Sequence, residues 1–420
     1  MFSIVLAVLC TLLITLIVAN FVTGEKKIQA SIKRLYPIRD TQFLRSMGML
    51  LGPAILQGNR IRHYENGCEI FPAMLEAIRG ARKTITFETY IYWSGRIGNE
   101  FAEALCERAR AGVKVHLLLD WVGSISMDQA LLAKMLDAGI ECVRYHKPHW
   151  YNITRMNNRT HRKLLVIDGR IGFTGGVGIA DHWQGNAESP AEWRDSHFSV
   201  EGPVAAEFQA VFLDNWMKAE GRVLHGGDYF PLLSPQGEKA AQMFSSSPSS
   251  GSESMHLMYL LSITAAQRSI RLSSSYFVPE ALAIRALVKA ARRGVRIQII
   301  IPGEYIDAQS VRRASRARWG RLLAAGIEIY EYKPTMYHCK MLIVDDFMVS
   351  VGSTNFDNRS FRLNDEANLN VYDEAFALEM TEVFERDLKQ SERVTLKKWR
   401  ARSLVEKIWE RSISFLASQM

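Results

Sequence analysis

Cysteine is scarce. Cys10, Cys68, Cys106, Cys142 and Cys339 are odd in number and nowhere form a CxxC spacing, which argues against a disulfide framework or a zinc site and fits a reducing compartment. No tract has the charged, aromatic-poor composition of disorder. At 420 residues the chain exceeds one ordinary core and suits two domains. Neither sign of charge dominates: 52 Lys and Arg stand against 44 Asp and Glu, a formal net charge of +8. That excess favours acidic partners such as phosphates, nucleic acid or anionic lipid headgroups, and does not choose among them.

Charge is missing altogether from Met1 to Val22, a run long enough to cross a hydrocarbon core as a helix. Lys26, Lys27, Lys33, Arg34 and Arg39 follow it, and no Lys or Arg precedes it. The positive-inside rule then keeps the downstream chain on the cytoplasmic side of the inner membrane. A cleaved signal peptide wants a basic start and a small-residue cleavage site, and both are poor here. A buried core helix rarely opens a chain with so many apolar residues in succession. The reading is an uncleaved single-pass anchor over 1–24 and a basic juxtamembrane segment over 25–54.

Compared with itself, the chain repeats. Ala81–Trp93 is echoed by Ala266–Val278, Glu107–Asp120 by Lys289–Pro302, Leu131–Pro148 by Trp319–Pro334, and His161–Gly176 by His338–Ser353. Four matches in one order point to two duplicated domains, over 55–230 and 255–393. In each, an apolar-periodic helix stops at Gly112 or Gly294, and a β-branched run follows, Val113–Leu119 or Val295–Ile301. Alternating strands and helices predict layered α/β domains. Residues 231–254 read as a linker region closed by the turn-rich Ser245–Ser254, with the boundary between Gly226 and Ser254. Over 394–420, Trp399, Leu404, Ile408 and Trp409 alternate with Lys and Arg. This is an amphipathic helix that either packs on the body or lies in a membrane interface.

The chemistry sits at corresponding points of the two copies. His161 and Lys163 open an apolar run closed by Asp168 and followed by Gly175 and Gly176. His338 and Lys340 open one closed by Asp345 and followed by Gly352 and Ser353. Residues two apart on a strand share a face, so each histidine sits beside its lysine. An ammonium holds anionic phosphate oxygens, while an imidazole attacks phosphorus or moves a proton. Glycines after the strand let backbone approach a phosphate. A structural origin would have to explain why both copies keep a polar pair at the mouth of an apolar strand.

Both copies resemble the HxKxxxxD signature of the phospholipase D superfamily, over roughly residues 55–395. Within it, "ETYIYWSG", "DWVGS", "NNRTHRKLLVIDGRIGFTGGVGIAD" and "WRDSH" look like the bacterial cardiolipin synthases. The resemblance implies two such domains related by a pseudo-two-fold axis, with mixed sheets flanked by helices, sharing one active site. It implies His161 as nucleophile forming a phosphohistidine and His338 as acid and base, although residues so alike do not themselves separate the two roles. Lys163 and Lys340 would clamp phosphate. Asp195 and Glu366 would orient the histidines across the interface, Glu366 beside His161 and Asp195 beside His338. Asp168 and Asp345 would finish strands and hold loops, and Glu88 would be structural or substrate-facing. Asn355 would touch phosphate from one copy only, since its counterpart is Gly178.

No cofactor or metal is called for, and His182 and His197 lack carboxylates at ligand spacing. The function this implies is phosphatidyl transfer between two phosphatidylglycerol molecules, with phosphatidylethanolamine as a possible co-substrate and no nucleic acid. The same chemistry would also serve a hydrolase of lipid or nucleic acid; Trp121, Trp150, Tyr151 and Trp183 would suit base stacking in a nuclease and would equally line an acyl channel. A membrane-tethered scaffold without activity is disfavoured by two intact His and Lys pairs. The sequence sets no oligomeric state.

Overall fold

Val113–Leu119 and Val295–Ile301, expected as strands buried on both faces, fall, all but their first residues, within two strands that exclude solvent along nearly their whole length. Gly112 and Gly294 adopt φ of +90° and +92°, a conformation that ends the preceding helix cheaply only without a Cβ. The computed structural model describes residues 2–21, 28, 30–33, 36–147, 158–248 and 254–414. The side chains at 13, 14 and 16–21 lie outside that description.

In chain order α1 (Phe2–Phe21) and α2 (Thr41–Leu51) precede the first copy, which comprises β1 (Leu56–Glu65), α3 (Asn66–Gly80), β2 (Thr84–Thr89), α4 (Arg96–Arg110) and β3 (Lys114–Asp120). It continues through α5 (Gln129–Asp137), β4 (Glu141–Tyr145), β5 (Arg159–Thr160), β6 (Leu164–Ile167), β7 (Ile171–Gly175), β8 (Ser196–Glu201) and α6 (Ala205–Glu220). The second copy comprises β9 (Lys239–Ser246), α7 (Ser254–Ala265), β10 (Ser269–Ser273), β11 (Phe277–Val278), α8 (Ala281–Arg292), β12 (Arg296–Pro302) and α9 (Gln309–Ala324). It continues through β13 (Glu328–Tyr332), β14 (Met341–Val344), β15 (Met348–Gly352), β16 (Phe356–Asp357), α10 (Asn358–Arg362), β17 (Asn364–Tyr372) and α11 (Glu374–Lys389). The chain closes with β18 (Ser391–Val394), α12 (Leu396–Arg400) and α13 (Leu404–Ser414).

The long strands form one continuous sheet, β18-β13-β12-β10-β14-β15-β17-β9-β1-β8-β7-β6-β2-β3-β4. Its halves mirror each other: β1-β8-β7-β6-β2-β3-β4 answers β9-β17-β15-β14-β10-β12-β13. They join where β1 pairs antiparallel with β9. The crossover strands β2-β3-β4 and β10-β12-β13 are parallel. The strands bearing the site run antiparallel between them. Each copy has its own apolar core. A third core spans them, with Leu164, Val166, Phe198 and Val200 packed among Met341, Ile343, Val351 and Leu369. Each such side chain contributes about 2 kcal/mol by leaving water, so the interface holding the site is itself hydrophobic core.

Three expectations change. The anchor expected over 1–24 falls on α1, a 20-residue helix, yet among the described residues no helix is long and apolar enough to cross a membrane. The fold therefore does not establish a transmembrane helix. The expected linker 231–254 contains β9, because Ala241 and Met243 face the shared core while Phe244 enters the second copy's own core; residues 249–253 lie outside the described ones. The C-terminal stretch is not one helix but a strand and two short helices. Trp399 lies over Gly320 and donates from Nε1 to Arg316 O at 2.7 Å, and Ile413 packs with Val278 and Ala314. Leu404 and Trp409 on the outer face remain 75% and 59% exposed.

Candidate active site

Each histidine is placed by the opposite copy. His161 donates its backbone N–H to Asp365 O at 2.9 Å, and His338 donates its own to Arg194 O at 2.7 Å. The next residues along those partner segments are Glu366 and Asp195, so the backbone contact carries each acid to the other copy's imidazole. His161 Nδ1 lies 3.0 Å from both Glu366 oxygens, and His338 Nδ1 lies 2.7 Å from Asp195 Oδ2. Arg194 is fixed in turn by a two-pronged pair to Asp387, at 2.9 and 3.0 Å, a strong arrangement when buried. The His and Lys pairs precede β6 and β14 as extended chain rather than lying within the strands.

All six groups are buried. Burial pushes both imidazoles down to about 4, Lys163 and Lys340 add to that by repulsion, and the partner acids only partly oppose it. Burial alone would raise Glu366 and Asp195. The facing histidines and lysines, and the donors to each carboxylate, hold both below their usual range. Neutral imidazole against carboxylate leaves Nδ1–H as the donor and puts the lone pair on Nε2; that of His338 lies 3.2 Å from Lys340 Nζ. Burial also lowers Lys163 to about 7 and Lys340 to about 8. Lys163 donates to His161 O at 2.8 Å; Lys340 donates to His338 O and Ser275 Oγ, both at 2.6 Å.

The acids are held by unlike donors. Asp195 receives Trp183 Nε1 at 2.9 Å and Ser196 N–H at 2.8 Å. Glu366 receives the Ser353 hydroxyl and, at 3.2 Å, Asn364 Nδ2. The glycines explain the difference. A Cβ at Gly176 would collide with the Asp195 carboxylate, whereas Ser353, its counterpart, supplies a hydroxyl to Glu366. Gly175 likewise has no room for a side chain beside His197, nor Gly352 beside Ala367 O. Gly175, Gly176 and Gly352 thus border the acid-bearing strands, rather than only leaving backbone open to phosphate. Gly178 has Ile91 and Trp183 where an asparagine would need space. Asn355, 3% exposed, keeps an Oδ1 without a protein partner.

Asp168 and Asp345 lie away from the imidazoles and do identical work. Asp168 accepts N–H bonds from Arg82, Lys83 and Thr84, and Asp345 from Gln267, Arg268 and Ser269. Each fixes the start of the strand beside its motif. Asp345→Asn should cost about 2 kcal/mol of stability, read as a lower denaturation midpoint, while activity per folded molecule is kept; a loss of specific activity without a loss of stability would contradict this.

Several neighbours were not singled out from sequence. Tyr90 lies edge-on to His161, with ring centroids 5.2 Å apart, and Lys163 Nζ is 5.6 Å from its centre. In the repeat Tyr90 corresponds to Ser275, which binds Lys340, so position-by-position comparison of the copies carried the signal. Trp183 and Trp193 flank His338 at 5.3 and 5.2 Å. Trp183, considered for base stacking, is instead buried and bound to Asp195; Trp150 and Tyr151 lie outside the described residues. Glu88 is buried beneath the site, accepting from Thr160 Oγ1 and, at 2.7 Å, Asn215 Nδ2. His182 stacks on Trp193 and His197 is buried beside Gly175. Among the described residues no three His, Cys, Asp or Glu groups are arranged to hold a metal ion.

The family model described as "Cardiolipin synthase, PLD-like domain" matches residues 74–216 and 259–388, one segment in each half of the sheet. The chain is 34% identical over 356 residues to cardiolipin synthase 1 of Bacillus anthracis, covering 82% of this chain and 69% of that one. It is 32% identical over 352 residues to cardiolipin synthase A of Pseudomonas fluorescens, covering 84% and 73%. Among solved structures, the phosphatidylserine synthase of Haemophilus influenzae shares the fold, with a TM-score of 0.69 at 14% identity over 90% of this chain and 100% of that one. Family match, relatives and the paired motifs agree: the chain belongs to the cardiolipin synthase, PLD-like domain family, as a phosphatidyltransferase of the phospholipase D superfamily.

Proposed function

We propose that this protein joins two phosphatidylglycerol molecules into cardiolipin and releases glycerol, by a two-step relay through a phosphohistidine. The observation that carries this is the pair of crossed contacts, His161 to Glu366 and His338 to Asp195, which leave two oriented imidazoles facing one site with two ammonium groups. In the first step His161 Nε2 attacks phosphorus, the P–O bond to the glycerol headgroup breaks, and protonated His338 gives its proton to the departing oxygen. Resting His338 is neutral. A phosphate anion brought beside it raises its proton affinity and charges it for this step. In the second step His338 takes the proton of the acceptor's headgroup hydroxyl, that oxygen attacks phosphorus, and the P–N bond breaks. Lys163, Lys340 and Asn355 hold the phosphoryl oxygens, whose charge grows at each transition state. Phosphatidylethanolamine as donor would release ethanolamine through the same steps. Hydrolysis differs only in water taking the acceptor's place, so exclusion of water favours transfer.

The same reading places the protein on a membrane, with α1 as a single-pass anchor and both copies on the cytoplasmic side. Support comes from the uncharged run of α1, the exposure of Phe2, Ile4, Leu9 and Leu12 away from the body, and the basic residues that follow. The outward Leu404, Val405, Ile408 and Trp409 of α13 suit a lipid interface. Protease or thiol label reaching residues beyond 40 only from outside the cytoplasm would overturn this topology.

Membranes carrying the protein and supplied with phosphatidylglycerol alone should yield cardiolipin and glycerol in equal amounts. Phosphatidic acid as the sole lipid product would contradict transfer. The pH profile of kcat/KM should have two limbs. The nucleophile needs neutral His161, which is present above about 4 and lost as pH falls through it. The first step also needs a proton on His338, which the free protein loses as pH rises through about 4 and the arriving phosphate restores. The clamps need charged lysines, which are lost as pH rises through about 7 and 8. Activity should therefore decline on the alkaline side, and a plateau to pH 10 would rule out a clamping role for these lysines.

A further inference from the structure

We propose that Asp307, held by Tyr276, binds the secondary hydroxyl of the glycerol headgroup and so selects the alcohol that leaves and enters beside His338; this rests on the transfer reading above. The placement follows from the strand pairing. β10 runs parallel to β12, with Ser273 opposite Ile300, and antiparallel to β14, with Ser273 opposite Met341. The segments after β10 and β12 and the segment before β14 therefore leave the sheet at one end. They carry, in that order, Ser275 and Tyr276, then Asp307, then His338 and Lys340. Two bonds tie them together. Lys340 Nζ donates to Ser275 Oγ at 2.6 Å, and Tyr276 Oη donates to Asp307 Oδ2 at 2.6 Å. Asn355 adjoins the same corner, because β11 and β16 pair in parallel with Phe277 opposite Phe356, and Phe356 N–H donates to Ser274 Oγ at 2.9 Å.

The other copy is built differently at this point. The repeat places Ile91 and Gly178 where Tyr276 and Asn355 stand, and Ile91 with the Trp183 ring fills the space beside Gly178. The His338 half is polar instead. Asp307 is exposed and Tyr276 half-buried; burial first, and then the Asp307 charge, keep the phenol protonated as a donor. One oxygen of the carboxylate takes that bond, and a carboxylate has room for several more. Burial leads in lowering Lys340 and in raising the Tyr90 phenol, and the Asp307 charge strengthens the hold of both on their protons, so its field reaches the site. A carboxylate at that distance repels a phosphate and accepts strongly from a hydroxyl. In the relay both the departing and the arriving oxygen pass His338. In a glycerol headgroup the carbon next to that oxygen carries a secondary hydroxyl, which water and simple alcohols lack.

The test sets two acceptors against each other for one intermediate. Full-length protein in membranes containing the phosphatidyl ester of 4-nitrophenol is given equal amounts of propane-1,2-diol and propan-1-ol, which differ only in that hydroxyl. The two transfer products are quantified together, so the ratio reads the accepting step alone. The wild type should favour the diol. Asp307→Ala should lower the ratio of diol to propanol product about tenfold, as expected for loss of one hydrogen bond to a charged group. Asp307→Asn, which keeps an acceptor without the charge, should fall in between, and Tyr276→Phe should lower the ratio by freeing the carboxylate. A wild type without preference, or a ratio unchanged in Asp307→Ala whether or not total turnover falls, overturns the subsite while transfer stands. If the wild type releases nitrophenol and makes phosphatidic acid as its sole lipid product, the transfer reading itself fails and the subsite with it.

Discussion

His338→Ala is expected to abolish turnover of phosphatidylglycerol, by at least roughly 10⁴-fold, yet to form a trapped phosphatidyl-His161 when the donor carries a good leaving group. The proposed relay asks His338 for a proton in the first step and for a base in the second. A phosphatidyl ester of 4-nitrophenol leaves without the proton, so the first step is restored. The second step still lacks its base, and one equivalent of nitrophenol should appear in a burst with no further release. His161→Ala should give no burst with either donor. The reverse pattern, with a burst in His161→Ala and none in His338→Ala, would exchange the two roles. The geometry leaves that exchange open to experiment: each imidazole has an acid at Nδ1 and a lysine from its own motif, and both are pushed to about 4 by burial.

Glu366→Gln is expected to lower kcat by roughly 10² to 10⁴ with little change in KM, the range seen when a buried acid that orients a catalytic histidine is neutralised. Glu366 does not reach the reacting phosphorus in this account. It is a positioning residue that keeps the proton of His161 on Nδ1, and glutamine can hold the ring only through a neutral oxygen. A second readout separates this from a loss of packing. The Glu366 carboxylate raises the proton affinity of Lys163, so its removal should lower Lys163 further and move the alkaline decline of kcat/KM to lower pH. Asp195→Asn should act on His338 in the same sense, since Asp195 supports the charge on Lys340. A fall in kcat without any displacement of the profile would reduce the acids to structural groups.

Much of the site was legible because the chain contains its own comparison. A single HxK carries little information, but two at matching points of a repeat pointed to His161, Lys163, His338 and Lys340, and the alternation of helix and strand pointed to layered α/β halves. The antiparallel strands between the parallel ones were not legible, since β6, β7, β14 and β15 are buried on both faces and show no period-two signal. The shared core hid itself for the same reason: Leu164 and Val166 look like any strand interior, and nothing local says that their neighbours lie some 180 residues away. The inequality of the halves was half visible. Gly178 opposite Asn355 stood out, while Gly176 opposite Ser353 gained meaning only once Asp195 and Glu366 were seen to take donors from Trp183 and Ser353 respectively. The C-terminal stretch misled because its apolar spacing is continuous, whereas the turn between α12 and α13 is set by Arg402, which donates to Trp399 O at 2.7 Å and pairs with Glu410.

The central claim is that two half-sites act in sequence on one phosphorus, and the configuration of that phosphorus reports on it directly. Phosphatidylglycerol made chiral at phosphorus with oxygen isotopes would be converted by the wild-type enzyme, and the product diester analysed for its configuration. Two in-line displacements, the first by His161 and the second by the acceptor hydroxyl, predict net retention. Inversion would mean that the acceptor displaces glycerol in one step, and the phosphohistidine relay would have to be abandoned.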